Sequence, residues 1–87
     1  MENKIKKLLK NALAKEILSF FYQNQTSIDS VGGVSVWVNK DRMEVEKVLE
    51  EMVSLGILGK DSTGATRGYC YTRDEQIMKI IDKIMNK

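Results

Sequence analysis

The sequence predicts a single α+β domain that is mainly helical and carries one small β-hairpin. Three observations indicate this class. Apolar residues recur at helical spacing in three segments of the chain. Between the second and third segments, two short apolar runs enclose a tip rich in glycine, serine and threonine, which is typical of a hairpin. At 87 residues, the chain is long enough for one small core.

The first helical segment runs from about Asn3 to Gln23. Its apolar positions sweep over more than half of the helix circumference, which is wider than contact with one neighbour requires. They are Ile5, Leu8, Leu9, Ala12, Leu13, Ile17, Phe20 and Phe21. Lysines fall among the polar positions, and residues 1–15 carry a net charge of +4. Three interpretations stay open: a helix inside the core, a helix that contacts a second subunit, and a cationic helix on a membrane surface.

The best-defined segment, residues 41–56, marks its own start, buried side and end. Asp41 with Glu44 three residues later is a capping box, and Gly56 stands where a left-handed C-terminal cap belongs. The predicted buried side consists of Val45, Val48, Leu49, Met52 and Val53. The opposite, polar side carries Arg42, Met43, Glu46, Lys47, Glu50 and Ser54. What this polar side contacts is the main functional question.

The stretch before this helix gives conflicting signals. Residues 24–30 are polar and turn-forming, and Ile28 among them suits one short strand or an anchor for the connection. Residues 31–38 favour a strand by intrinsic propensity. However, Asp29 or Ser30 can cap a helix, and a three-residue turn then leads into the capped central helix, which matches a helix-turn-helix.

Two short apolar runs follow the central helix and predict the hairpin strands. Alternation places Tyr69 and Tyr71 on one face of the second strand and Cys70 on the other. Thr72 with Glu75 then forms a second capping box, which opens a last amphipathic helix. The narrower apolar stripe of this helix consists of Ile77, Ile80, Ile81, Ile84 and Met85.

The composition argues against an enzyme. Cys70 is the only cysteine and histidine is absent, so we expect no zinc cluster, no disulfide framework and no histidine-activated nucleophile. No cofactor or metal is predicted. No stretch approaches the roughly 20 apolar residues that a membrane span requires, so no membrane span is predicted and the cytoplasm is the expected location. The membrane-surface interpretation of the first helical segment is the least favoured of the three, because Phe20, Phe21 and Tyr22 are typical of a core, and no membrane partner is predicted. The net charge of +2 is small for a protein that coats nucleic acid by charge alone.

The order helix, short strand, helix, turn, helix, hairpin, helix resembles that of winged helix domains, in which the hairpin is called the wing. The resemblance covers about residues 12–72 of one domain, residues 1–87, with an extended N-terminal helix and an added C-terminal helix. Its most specific residues, similar to those of small prokaryotic members, are Trp37, Val45, Glu46, Leu49, Met52, Gly56, Ile57 and Leu58. The resemblance favours a helix at residues 31–38. It also implies that Trp37 fills the core, with a stacking platform for a base as the alternative.

In DNA-binding winged helix proteins, the third helix enters the major groove and the wing lies along the backbone. The resemblance therefore implies a sequence-specific DNA-binding protein and transcriptional regulator, with residues 41–55 in the major groove of duplex DNA and residues 57–72 on the backbone. The implied DNA-binding residues are Lys40, Arg42, Met43, Glu46, Lys47, Lys60, Thr66 and Arg67. A homodimer through the N-terminal and C-terminal helices is also expected.

The charge of the central helix favours a different function. Residues 41–56 carry five acidic residues against Arg42 and Lys47, and Glu50 would approach DNA phosphates with no compensating cation except Lys47. Winged helix domains also serve as protein-contact modules. The alternative is therefore a protein-interaction module without DNA binding, whose partner presents a basic surface to Glu46, Glu50 and Glu51.

Overall fold

The structure is a computed structural model that describes residues 1–61 and 67–86. Within these residues the protein has five α-helices and three β-strands, which confirms the predicted, mainly helical α+β class. The helices are α1 (Glu2–Leu8), α2 (Ala12–Gln23), α3 (Val31–Val38), α4 (Arg42–Ser54) and α5 (Glu75–Met85). The strands are β1 (Ile28–Asp29), β2 (Leu58–Asp61) and β3 (Gly68–Tyr71). None of these helices combines the length and the apolar composition needed to cross a membrane.

The three strands form an antiparallel sheet in the order β1-β3-β2. β2 and β3 pair along their whole length, from Leu58 opposite Tyr71 to the outer end, which confirms the predicted hairpin. Ile28 pairs with Cys70, so this isoleucine does form a short strand. The tip predicted for this hairpin falls on residues 62–66, which lie outside the described residues, and so does the predicted DNA-binding residue Thr66.

The core lies between the helices and one face of the sheet. α3 and α4 pack on α2, and β3 lies against α2. Each of the five helices contributes buried apolar side chains. Among the largest fully buried residues are Tyr71, Phe21, Ile5, Ile17, Leu18, Leu49, Met52, Ile57 and Ile81. α4 buries the side that its sequence predicts, so its polar side faces away from the core.

The N-terminal segment differs from the single helix predicted from Asn3 to Gln23. The chain forms α1 and α2 instead, with residues 9–11 between them. Asn11 stabilises the break, because its Oδ1 accepts hydrogen bonds from the backbone N–H groups of Leu13 (2.8 Å) and Ala14 (3.2 Å). The broad apolar stripe is therefore the sum of two stripes, one on each helix. The helical period conceals the break because Asn11 falls at a polar position.

The helix predicted at residues 31–38 is confirmed as α3. Ser30 caps its start, since the hydroxyl accepts a hydrogen bond from a backbone N–H of the first turn at 3.1 Å. At its end, Asn39 adopts a left-handed conformation (φ 56°), which asparagine tolerates better than most residues. The Ser35 hydroxyl also donates a hydrogen bond to the carbonyl of Lys40 at 2.6 Å. Caps at both ends outweigh the strand propensity of the valines.

α4 begins and ends where the sequence predicts. The Asp41 side chain accepts a hydrogen bond from the backbone N–H of Met43 at 3.2 Å. At the other end, Gly56 has a φ of 81°, and Ile57 donates its backbone N–H to the carbonyl of Met52 at 2.9 Å. This arrangement is a Schellman cap, and it turns the chain directly into β2.

The start of α5 differs from the prediction, because Asp74 and not Thr72 is the N-cap. The Asp74 carboxylate accepts hydrogen bonds from the backbone N–H groups of Gln76 and Ile77. Thr72 is held at the end of the sheet, where its backbone N–H donates to the carbonyl of Ile57 at 3.0 Å. Its hydroxyl accepts a hydrogen bond from the Asp74 N–H at 3.0 Å. Attachment to the sheet therefore prevents Thr72 from starting the helix.

The apolar stripes of the terminal helices are used inside the chain. Ile77 and Ile81 of α5 are buried, and so are Ile5 and Leu8 of α1. Ile84 packs against the same core. The predicted homodimer through these helices stays a prediction, and the apolar side chains that suggested it already have partners within the chain.

Replacing Gly56 by alanine is expected to destabilise the protein. A Cβ atom at this position would meet only side-chain atoms of Ile77, at 3.9 Å, so no steric clash is introduced. The left-handed backbone of Gly56, however, disfavours an L-residue by about 1–2 kcal/mol. We expect urea denaturation to show a free energy of unfolding that is lower by about this amount.

Gly32→Ala is the matched control. Gly32 lies in the first turn of α3, where a Cβ atom would meet no heavy atom closer than 3.9 Å. Alanine is favoured over glycine in a helix by about 0.5–1 kcal/mol, so this variant should be at least as stable as the wild type. Equal losses of stability in both variants would contradict the special backbone requirement assigned to Gly56.

Candidate nucleic-acid interface

The polar side of α4 forms one wall of an open groove of about 610 Å³, which we call the α4 groove. The start of α3 and the strands of the hairpin form its other walls. It is lined by Ser30, Val31, Gly32, Arg42, Met43, Glu46, Glu50, Lys60, Arg67 and Tyr69. A polar helix face, a helix start and a strand pair therefore meet at one concave surface.

The α4 groove brings together five of the predicted DNA-binding residues, namely Arg42, Met43, Glu46, Lys60 and Arg67. Lys40 lies elsewhere, in a groove between α2 and α4 that Lys15 and Glu44 also line. Lys47 is exposed on α4 and follows Met43 by one helical turn. The structure thus places these predicted residues on α4, on β2, immediately before β3 and beside the start of α4.

Glu50 is bound by the hairpin, which corrects the expectation that only Lys47 compensates its charge. The Lys60 Nζ atom lies 2.8 Å from Oε1 of Glu50. The Tyr69 hydroxyl donates a hydrogen bond to Oε2 at 2.5 Å. Lys60 and Tyr69 are cross-strand partners in β2 and β3, so one carboxylate joins α4 to both strands. We call Glu50, Lys60 and Tyr69 the Glu50 clasp.

The clasp changes the proton affinities of its members. The hydrogen bond from Lys60, followed by the hydrogen bond from Tyr69, lowers the pKa of Glu50 below its ordinary value of 4.5. Burial, followed by the hydrogen bond to Glu50, raises the pKa of Tyr69 to about 12. At neutral pH the carboxylate is therefore charged and the tyrosine is neutral, which is the combination that their hydrogen bond requires.

The other acidic residues of α4 occupy different positions. Asp41 is the N-cap of the helix. Glu44 lines the groove between α2 and α4, and Glu51 lines one between α1 and α4; lysines line both grooves. Within the described residues, Glu46 is the only acidic side chain besides Glu50 that lines the α4 groove. Of the five acidic residues in residues 41–56, three therefore lie outside the α4 groove, and a fourth, Glu50, is paired with Lys60 inside it.

Three cations near the start of α4 have no acidic partner in the part of the chain that the structure describes. Among the described residues, Lys40, Arg42 and Lys47 form no ion pair within 4.0 Å. Arg42 extends over the start of α3, since its Cζ atom lies 4.0 Å from the position that a Cβ atom on Gly32 would take. These charges remain available to an anionic ligand.

Trp37 does not fill the core, contrary to the expectation from the resemblance. Its side chain is 54% exposed, and its ring packs on that of Phe20 with a centroid distance of 4.7 Å. Val36 is 82% exposed and Met43 is 79% exposed. The reason is the rotation of α3, whose buried residues are Val34, Ser35 and Val38. This rotation leaves Val36 and Trp37 on the outer side of the helix.

The sequence prediction misses the role of Tyr69. Alternation correctly places Tyr69 and Tyr71 on one face, and both are buried. Centring the hairpin between residues 64 and 65 pairs Lys60 with Tyr69, and this is the register observed. This register, together with the Glu50 carboxylate on the preceding helix, is the sequence signal from which the hydrogen bond of Tyr69 could have been predicted.

No protein-family model matches this chain, and no curated protein matches it. The function is therefore inferred from the geometry and charge of the α4 groove. The winged helix resemblance stays a prediction from the residue pattern.

Tyrosine titration should report the environment of the clasp. The chain has three tyrosines. Burial is the main reason why the pKa values of Tyr69 and Tyr71 are raised to about 12. The hydrogen bond to Asp82 raises the pKa of Tyr22 above 10.0. The folded-state pKa values of Tyr69 and Tyr71 exceed the value of 10.0 for an unperturbed tyrosine. The two neutral hydroxyls therefore contribute stability to the fold that is present below pH 10 and is lost as the pH rises from 10 to about 12. We expect phenolate absorbance to appear only above pH 10.0, together with unfolding.

Tyr69→Phe is the control for this titration. It removes one chromophore and should also remove the part of the alkaline destabilisation that comes from this hydroxyl. Phenolate absorbance of full amplitude near pH 10.0, recorded while circular dichroism shows an intact fold, would contradict the burial assigned to Tyr69 and Tyr71.

Proposed function

We propose that this chain is a winged helix-turn-helix domain that binds duplex DNA, with α4 in the major groove and the β2–β3 hairpin on the backbone. The order α2, β1, α3, α4, β2, β3 supports this architecture, and so does the three-residue turn between α3 and α4. In helix-turn-helix proteins the second helix of such a pair enters the major groove. Transcriptional regulation is the proposed role.

The observation that carries the proposal is the engagement of Glu50 by Lys60 and Tyr69. A carboxylate without a partner on the exposed side of α4 would repel DNA phosphates. In the clasp, its charge is balanced by a cation at 2.8 Å. The α4 groove then has three cationic side chains, on Arg42, Lys60 and Arg67, against two acidic ones, which leaves a local charge of +1.

The first turns of α4 carry side chains suited to base edges. An arginine such as Arg42 forms a bidentate contact with guanine, and a carboxylate such as that of Glu46 accepts a hydrogen bond from cytosine N4. Met43 offers an apolar contact to the methyl group of thymine. All three side chains are exposed. Lys40 and Lys47, which have no ion-pair partner among the described residues, are the proposed phosphate contacts.

A protein-interaction module is the second candidate, and the exposed apolar side chains of Val36, Trp37 and Met43 favour it. The acidic docking face expected for this candidate is incomplete. Glu46 and Glu50 line the α4 groove, but Glu51 lines a groove beside α1. A protein partner would therefore contact the outer side of α3 in preference to three aligned carboxylates.

Titration of a random-sequence duplex at several salt concentrations tests DNA binding. We expect weak binding whose logarithmic affinity falls linearly with the logarithm of the salt concentration, because phosphate contacts release counterions. Lys40→Gln/Lys47→Gln should weaken binding at low salt. It should also reduce the magnitude of the salt slope by about 1.8, since each phosphate contact contributes about 0.9.

Arg73→Gln/Lys79→Gln is the matched control. It removes the same charge from exposed positions beside and within α5, outside the α4 groove. We expect a salt slope close to that of the wild type. Absence of salt-dependent binding by the wild type at low ionic strength would contradict the proposal. If the two double variants reduced the salt slope equally, DNA would be attracted by the overall charge of the protein and not by a defined surface.

A further inference from the structure

We propose that Glu50 is a positioning residue that holds the hairpin against α4, so that Arg67 and the exposed side of α4 face the same DNA duplex. This inference rests on the proposed function. It means that Glu50, although acidic, favours the binding of DNA, which is an anion.

The clasp uses both oxygens of one carboxylate. Oε1 contacts Lys60 of β2 at 2.8 Å, and Oε2 accepts the hydrogen bond from Tyr69 of β3 at 2.5 Å. A carboxylate with one partner keeps rotational freedom, whereas two partners on paired strands fix both its rotation and the distance from α4 to the hairpin. Tyr69 is only 4% exposed, so its ring is already immobilised by packing.

The clasp acts at the outer end of the hairpin. At the inner end, Leu58 pairs with Tyr71, and both are buried in the core. The clasp pair is followed by one further described strand pair before the tip. The clasp is a polar link between α4 and this outer end. The direction in which the hairpin leaves the core is therefore set by packing at one end and by Glu50 at the other.

The charges around Glu50 lead to the same assignment. Lys60 and Arg67 are like charges that line one groove, and Glu50 of α4 lines the same groove. Arg67 also acts electrostatically on Glu50, since its charge helps to lower the pKa of this carboxyl after the larger effects of Lys60 and Tyr69. Without the Glu50 carboxylate, Lys60 would lose its ion pair to α4 and would gain freedom to turn into solvent.

Glu50→Gln separates positioning from simple charge. The substitution raises the net charge of the protein by one, so charge alone predicts tighter DNA binding. Positioning predicts the opposite: affinity for the duplex at fixed salt should fall by about three- to tenfold, the range for losing one typical intramolecular hydrogen bond. Tyr69→Phe removes one of the clasp hydrogen bonds without changing the charge, and it should also weaken binding, by a smaller factor.

Two comparisons distinguish positioning from a general loss of structure. Glu51→Gln makes the same charge change on the side of α4 that faces α1, and it should bind DNA at least as tightly as the wild type. In an Arg67→Gln background, the effect of Glu50→Gln should shrink, because the contact that Glu50 positions is already lost. A general structural loss would persist undiminished in that background. Thermal unfolding of each variant verifies that it is folded.

Folded Glu50→Gln protein that binds DNA as tightly as the wild type, or more tightly, would overturn the proposal. If the wild type does not bind duplex DNA, the proposed function fails separately, and hydrogen exchange still tests the clasp. The amides of β2 and β3 should then exchange faster in Glu50→Gln than in Glu51→Gln. Identical exchange in the two variants would overturn the positioning of the hairpin by Glu50.

Discussion

Burial of one side of α4 determines which residues the protein can offer to a partner. Asp41 and Gly56 fix the two ends of this helix, and its buried residues fix its rotation. Because side chains follow a period of 3.6 residues, burying one side turns the other side outward as a set. The start of α3 and the hairpin then form walls against that outward side. The buried residues of α4 are Val45, Val48, Leu49 and Met52.

The placement of acidic residues matters more here than the net charge of +2. Asp41 serves as a helix cap, and Glu44 and Glu51 line grooves that lysines also line. Glu50 joins α4 to the hairpin. These structural roles leave the polar side of α4 less acidic than its sequence indicates. A chain that is almost neutral can therefore present a groove compatible with an anionic partner.

Local signals in the sequence were sufficient for most of the fold, and long-range contacts account for what it did not predict. Caps and apolar periodicity located α4, apolar periodicity located the last helix, and two short apolar runs around a polar tip located the hairpin. The break at Asn11 was missed because a cap inside an uninterrupted period leaves the pattern unchanged. The exposure of Trp37 depends on the rotation of α3, and the partner of Glu50 depends on strand register. The rotation of α3 is not encoded within a few neighbouring residues, and the strand register identifies the partners of Glu50 only when α4 is placed against the hairpin.

A map of backbone amide chemical-shift changes, recorded while a short duplex is added to isotopically labelled protein, tests the central claim most directly. The claim is that the exposed side of α4 and the hairpin contact DNA together. It predicts the largest changes at residues 40–47 and around Lys60 and Arg67, with α5 unaffected. Changes confined to the outer side of α3, around Val36 and Trp37, or no changes at low salt, would contradict it.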